Sequence, residues 1–432
     1  MSTRTWLGHA PAVAQVQTWT LSGTWEADDT ITLTINGKAV TFTAGSTTIS
    51  DIITAMVTAY NLLPATTHPE FAEMTASKSG TTIFVLTADT AGRPFAASMT
   101  TADAGGAADD QLIEGDVTAT AGTAATANAG PYCWSTAANW SGGAVPVNSD
   151  DVVFENSSVD CLYGLDQSAV TLTSLTVKQS YTGVIGLPRT NTTGTNYVEY
   201  RDTYLKVSAT TITVGQGDGS GSGRIKINVG TAQTTVNVYN TGSAKEAGIE
   251  SLLLLGTHAS NAVNVTKGSV GIAVFSGEVA TVATLREGYL TNQAGDAVVR
   301  CGAGVTLTNI SKSGGRLDIA SDTTAVTQTA GELICRAGAP TSLAILGGTL
   351  YYQSTGTIGA LVGGSGGGGV ADFSQDNRAK TVTACDIHYG FTIKDPFGVV
   401  TWTAGIDCVE CGAEDVKLYL GKHLRLTPGS VA

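Results

Sequence analysis

The feature that most constrains this chain is a short repeat past its middle. Gly315-Arg316-Leu317-Asp318-Ile319 is followed by Gly331-Glu332-Leu333-Ile334-Cys335, and then by Gly348-Thr349-Leu350-Tyr351-Tyr352. The leading glycines are 16 and then 17 positions apart (331 − 315 and 348 − 331). A second apolar run follows in each unit, at Val326, at Leu343 and Ile345, and at Leu361 and Val362. Weaker copies of the Gly-aliphatic start lie upstream at Gly268, Gly277 and Gly288. This period is too short for a helical hairpin or a propeller blade. It suits one coil of a parallel β-helix, or β-solenoid, in which each coil buries its inward aliphatic side chains against the next and glycine takes the corners. Leu317, Ile319, Leu333, Cys335, Leu350 and Tyr352 are then the expected core of the repeat. At about 4.8 Å per coil, roughly fifteen coils make a rod on the order of 70 Å long. The competing reading is a β-sandwich with coincidental glycine spacing.

Composition points the same way. Only 14% of the 432 residues are charged, against roughly 25% in an average soluble domain. Hydrophobic residues make up 42%, and there are 53 glycines. A helical bundle needs more Glu, Lys, Leu and Arg; Thr and Val suit pleated surfaces, and Gly suits the turns between short strands. Apolar content is ample for a core, which argues against disorder. A mainly β chain is expected, and its length implies more than one unit. Acidic residues outnumber basic ones 36 to 23, for a net charge of −13. No basic run occurs that could displace counterions from a nucleic acid, and the same acidity disfavours anionic membranes. The start, Met-Ser-Thr-Arg-Thr-Trp-Leu-Gly-His, lacks the apolar core and cleavage site of a secretory signal. The longest aliphatic run, Leu252 to Leu255, is far short of a membrane span, so no insertion is expected. The seven cysteines, at 133, 161, 301, 335, 385, 408 and 411, are odd in number and scattered, which predicts reduced thiols.

The chain divides by pattern into an arm (1–15), a small α+β domain (16–100), an Ala/Gly/Thr-rich linker (101–130) and a β-solenoid (131–432). In the second of these, Ile31, Leu33 and Ile35 alternate with Thr, then Asn36-Gly37 intervenes before Val40 and Phe42. Asn-Gly between alternating runs predicts a hairpin, because a type I′ turn needs positive φ at both central residues. A helix follows, with Ser50 as its cap and Ile52, Ile53, Met56, Val57 and Tyr60 on one face. Strands are expected near Phe71–Ala76 and Thr82–Thr87, in the order ββ-α-ββ.

Two segments carry a resemblance. Thr87-Ala-Asp-Thr-Ala-Gly-Arg-Pro-Phe95, the stretch Pro69–Ser77, the Asn36-Gly37 hairpin and the following helix together resemble a small N-terminal module of tailed-bacteriophage and prophage structural proteins. Trp134-Ser-Thr-Ala-Ala-Asn139-Trp140-Ser-Gly-Gly-Ala-Val-Pro146, leading to Asp150-Asp151-Val-Val-Phe154, is similar to the leading segment of β-helical surface proteins of phages and bacteria. The resemblance implies a virion structural protein, assembled in the host cytoplasm, with the module docking on capsid or tail and the solenoid projecting as decoration, fibre or spike. It implies homo-oligomers, with a trimer favoured, and a host surface glycan as a further partner. The alternatives are a polysaccharide-depolymerising tail spike and a bacterial surface adhesin. Independently of any family, the open end of a solenoid has to be covered. Trp134 and Trp140 are large enough to cover it, with Asn139, Gly142 and Gly143 in the tight turns around them and Pro146 counted in the same cap. The same two tryptophans could instead stack on sugar.

Constellations for chemistry are sparse, and no catalytic, metal or cofactor site is expected. Cys408-Val-Glu-Cys411 is a lone CxxC with Cys385, His388 and His423 as the nearby ligand types, short of a patterned zinc site. Gly215-Gln-Gly-Asp218-Gly-Ser-Gly-Ser-Gly223 lacks the recurring Asp of a calcium roll and the Lys-Ser/Thr of a phosphate loop, and it reads as a turn, as does Gly363–Gly369. A glycosidase needs two carboxylates about 5–9 Å apart, and Asp318, Asp372, Asp376 and Asp386 are the candidates. His9, His68 and His258 are isolated.

Overall fold

The computed structural model describes residues 2–103, 111–116 (backbone only), 126–191, 196–288, 297–364, 368–409 and 415–421. The chain is mainly β, and its apolar interior falls into two separate cores.

The smaller core is built by residues 16–102. The alternation over Thr30–Ile35 buries Ile31, Leu33 and Ile35. The strand turns back into Lys38–Thr43 through Asn36 (φ 54°) and Gly37 (φ 70°), as the Asn-Gly pair predicts. Ala97–Ala102 pairs on its other edge. A second antiparallel sheet has the order Met74–Ser79, Ile83–Ala88, Val16–Gly23, Gln111–Asp116. The helix Ile49–Asn61 buries Ile52, Ile53, Met56 and Tyr60 in the same core as Trp19, Trp25, Leu33 and Phe84. Its cap is Thr48 and not Ser50. Ser50 lies inside the first turn, where its hydroxyl accepts from Lys78 Nζ at 2.8 Å.

Two pairings fall outside what side-chain pattern predicts. Gln111–Asp116, inside the expected linker, extends the sheet beside Val16–Gly23. Thr3–Thr5, in the expected arm, runs parallel to Asp151–Val153. Strand addition uses backbone hydrogen bonds, so an open edge accepts a segment with no apolar alternation of its own.

From Asp151 onward the strands join one continuous, closed sheet. Its ladders are parallel; Thr190–Asn191 and Tyr197–Val198 stand outside it and pair antiparallel as a separate two-stranded sheet. The parallel pairing is not that of a sandwich of antiparallel sheets. One inward column runs Ile225, Leu252, Val270, Val299, Leu317, Leu333, Leu350, Ala371, Ile393. A second runs Leu175, Ile212, Val236, Val263, Leu285, Ile310, Val326, Leu343, Leu361, Cys385. Ile319, Cys335 and Tyr352 stack in a third. All six repeat residues read from the sequence are buried within these columns. Val305–Ile319 and Thr323–Cys335 are long enough to serve all three of these columns, bending near Gly315 and Gly331. Among the described residues no helix is long and apolar enough to cross a membrane.

Gly331 has φ 78°, and a Cβ there would sit 2.4 Å from the Gly315 carbonyl oxygen. Gly331→Ala is therefore expected to cost about 1–3 kcal/mol, read as a lowered urea midpoint. An unchanged midpoint would mean that the corner relaxes freely.

Candidate functional site at the ends and joint of the body

The parallel body has two places where its regular stacking stops and polar or aromatic groups gather. The first is its N-terminal end. Trp134, Trp140, Trp6 and Phe154 are each at most 1% exposed and lie against one another. Ring centroids are 4.5 Å apart for Trp134–Trp140 and 5.0 Å for Trp6–Trp140, both edge-to-face. Phe154 is also the first inward residue of a body column, so the aromatic cluster lies directly over the aliphatic interior. Asn139 is fully buried. It donates to the carbonyls of Gly130 and Cys133 (2.7 and 2.8 Å) and accepts the Ala10 amide at 2.8 Å. Pro146 is buried in the turn that follows. The side-chain choice at 134, 139, 140 and 146 was legible in the sequence. Trp6 was not, because its partners lie more than 130 residues away and no local pattern marks it.

Asp150 ties the N-terminal strand to this end. Burial alone would raise its pKa. The Ser2 and Val147 amides and the Arg4 guanidinium outweigh that and hold the carboxyl below the ordinary range.

The second place is the joint between the two cores. Glu73, beside the strand Met74–Ser79, meets Arg93 at 2.5 Å and Arg201 of the body in a close ion pair. The Tyr197 hydroxyl donates to Glu73. Arg201 also bonds Glu199 at 2.9 Å, the Pro94 carbonyl at 2.6 Å and the Tyr200 hydroxyl at 3.0 Å, with its guanidinium over the Tyr200 ring. Asn191 donates to Tyr197 and to Glu199. Two acids and two guanidinium groups thus balance in a nearly dry site. Burial would lower the pKa of Arg201, but Tyr200, Glu73 and Glu199 raise it overall, so it stays charged. Burial first, then the hydrogen bond to Glu73, pushes the Tyr197 phenol up. Asn36, read only as a turn residue, also holds Glu70 at 2.8 Å and reaches the Val198 carbonyl at 3.4 Å. The paired strands Thr190–Asn191 and Tyr197–Val198 are therefore a bracket gripping the smaller unit. Sequence reasoning missed it because charges scattered across 130 positions carry no periodicity.

The other candidates stay apart. Asp318 pairs with Arg336 at 2.6 Å, Asp372 with Lys394 at 3.7 Å, and Asp376 with Arg378. The ladder sets Ile334 beside Asp318 and Tyr351 beside Asp372, so these carboxylates do not stack on one another. Asp386 is set beside Asp407. Cys408 is exposed and Cys385 buried, while Cys411 and His423 lie outside the described residues. Among the described residues no group of three metal-ligating side chains occurs. Gly215–Gly223 forms a bend with positive φ at Gly215, Gly217, Gly219 and Gly221; Gly363–Gly369 lies partly outside the described residues. His9 is exposed, and His68 and His258 are half-buried.

No protein family, curated protein or solved structure matches the chain.

Two outcomes follow from this geometry. Arg201→Ala leaves Glu73 and Glu199 short of a buried partner, with an expected cost of about 3–5 kcal/mol at the joint. Calorimetry should then resolve two separate melting transitions where the parent shows one; a single unshifted transition would refute the role of the joint. Asp150 has a depressed folded pKa. Its contribution is fully present above its unfolded value of ~4 and is lost as pH falls through the folded value. Protease cleavage within residues 2–10 should be suppressed at pH 7 and appear only once the pH has been taken below the ordinary Asp range of ~4, while Asp150→Asn should be cleaved at both.

Proposed function

We propose that this chain is a non-enzymatic structural protein of a tailed-bacteriophage particle. The observation that carries the reading is the pair of parallel ladders, each with an inward column of ordinary apolar side chains running from one strand to the next. We read these ladders as successive coils of a β-solenoid, with the helix-bearing residues 16–100 as a small α+β attachment domain. A rod of that kind resists bending because every coil is hydrogen-bonded along its length to the next. The balanced ion cluster at Glu73 and Arg201 would transmit that stiffness to the attachment domain. Low charge and a net charge of −13 keep crowded copies from adhering to one another. The domain would dock on capsid or tail proteins, and the rod would project as a decoration, fibre or spike, most favourably as a trimer. A host surface glycan would be its outer partner.

Antibody labelling of purified particles under the electron microscope tests this. Gold at a fixed position on head or tail is the expected result, with the chain present in the particle proteome. Its absence from purified particles, or label on uninfected cells, would overturn the virion reading. Release of reducing ends or unsaturated sugars from host capsule by the purified protein would overturn the non-enzymatic one.

A further inference from the structure

A fourth inward column breaks the aliphatic rule. It begins Phe154, Val177, Val214, Val238, Val265. It then passes through Glu287, Lys312 and Gln328 at three successive levels before returning to Ile345. Glu287 is 1% exposed, and Lys312 and Gln328 are not exposed at all. Lys312 Nζ lies 2.5 Å from Glu287 Oε2 and also donates to the Gly314 carbonyl. Room for the pair comes from Gly315, where a Cβ would lie 2.9 Å from Glu287 Oε1.

Two ions in such a place pay a desolvation penalty that their attraction only partly offsets. Burial pushes the Glu287 carboxyl up to about 7, against the pull of Lys312. Burial pushes the Lys312 amine down, against the pull of Glu287. Both shifts favour the uncharged acid beside the uncharged amine. These are the forms that condense, and the fold already holds the Lys312 amine against the Glu287 carboxyl group, which replaces a bimolecular encounter by an intramolecular one.

We propose that Lys312 and Glu287 are joined by an intramolecular amide bond that staples two neighbouring strands of the body. The Nζ lone pair adds to the Glu287 Cδ, and the bond from Cδ to Oε2 breaks. Oε2 leaves as water, carrying the carboxyl proton and one proton of the amine. No electrons are transferred and no co-reactant is consumed. The product keeps one N–H, which donates to the Gly314 carbonyl, and the two buried charges disappear. Exclusion of water from the column opposes the reverse reaction. The inference stands on ladder register, burial and the contact between the two side chains, and it succeeds or fails independently of the virion reading.

Denaturing intact-mass spectrometry of the full chain tests it. The protein is expected to be lighter by one water than its sequence requires, taking Lys312→Met, with the substitution allowed for, as the uncrosslinked reference. Proteolysis should yield a branched peptide joining the segments that contain Glu287 and Lys312. The unmodified mass in the parent overturns the proposal, whether or not the variant folds. Loss of ammonia with a branch to Gln328 also overturns it, by assigning the bond to the other neighbour in the column.

Discussion

Inward side chains stacked along parallel ladders are the contact from which the rest of the body follows. Leu317 is covered by Val299 on one side and Leu333 on the other, and Leu333 in turn by Leu350. Each such residue gains about 1.5–3 kcal/mol from burial, but only while its neighbours hold register. A slip of one residue would turn every inward side chain outward. Register is therefore enforced collectively, and glycine serves corners such as Gly331, where the chain turns with φ 78° and adjacent backbones approach closely.

A stack of this kind creates two problems that its interior cannot solve: an end where a column has no further neighbour, and a lateral face where another unit must be held at a fixed angle. Aromatic bulk solves the first. Trp6, Trp134 and Trp140 cover Phe154 with large rings whose N–H groups at Trp6 and Trp140 find carbonyl partners. Charge solves the second. The Glu73, Arg93, Glu199 and Arg201 cluster holds direction as well as position, because guanidinium and carboxylate meet only in restricted geometries. The Lys312–Glu287 pair is a third departure from aliphatic filling. It lies inside the stack, where neither an end nor a joint requires polar groups, and this isolation is what makes a covalent role for it worth testing.

How far the chain can be read without coordinates depends on whether a residue's partner is local or periodic. The Gly-x-Leu repeat is periodic, and Leu317, Ile319, Leu333, Cys335, Leu350 and Tyr352 all occupy inward positions. The Asn36-Gly37 turn is local, and its dihedrals match. Trp134, Asn139 and Trp140 are close in sequence and meet as a group. Trp6, Arg201 and Lys312 follow neither rule. Their partners lie 134, 128 and 25 residues away (140 − 6, 201 − 73, 312 − 287), and nothing in their flanking sequence marks them.

The amino-acid sequence by itself determined that the chain is mainly β, that glycine marks its bends, and which residues of the Gly-x-Leu repeat turn inward. Those are properties of spacing and composition, which each segment carries alone. Tertiary structure decided which strand lies beside which, and so placed Thr3–Thr5 against Asp151–Val153 and Gln111–Asp116 against Val16–Gly23. It also decided that four scattered charges would become a joint, and that one lysine would face one glutamate out of water. The physical reason is that backbone hydrogen bonds and buried charges select partners through space, and proximity in space is a product of the whole fold rather than of any stretch of chain.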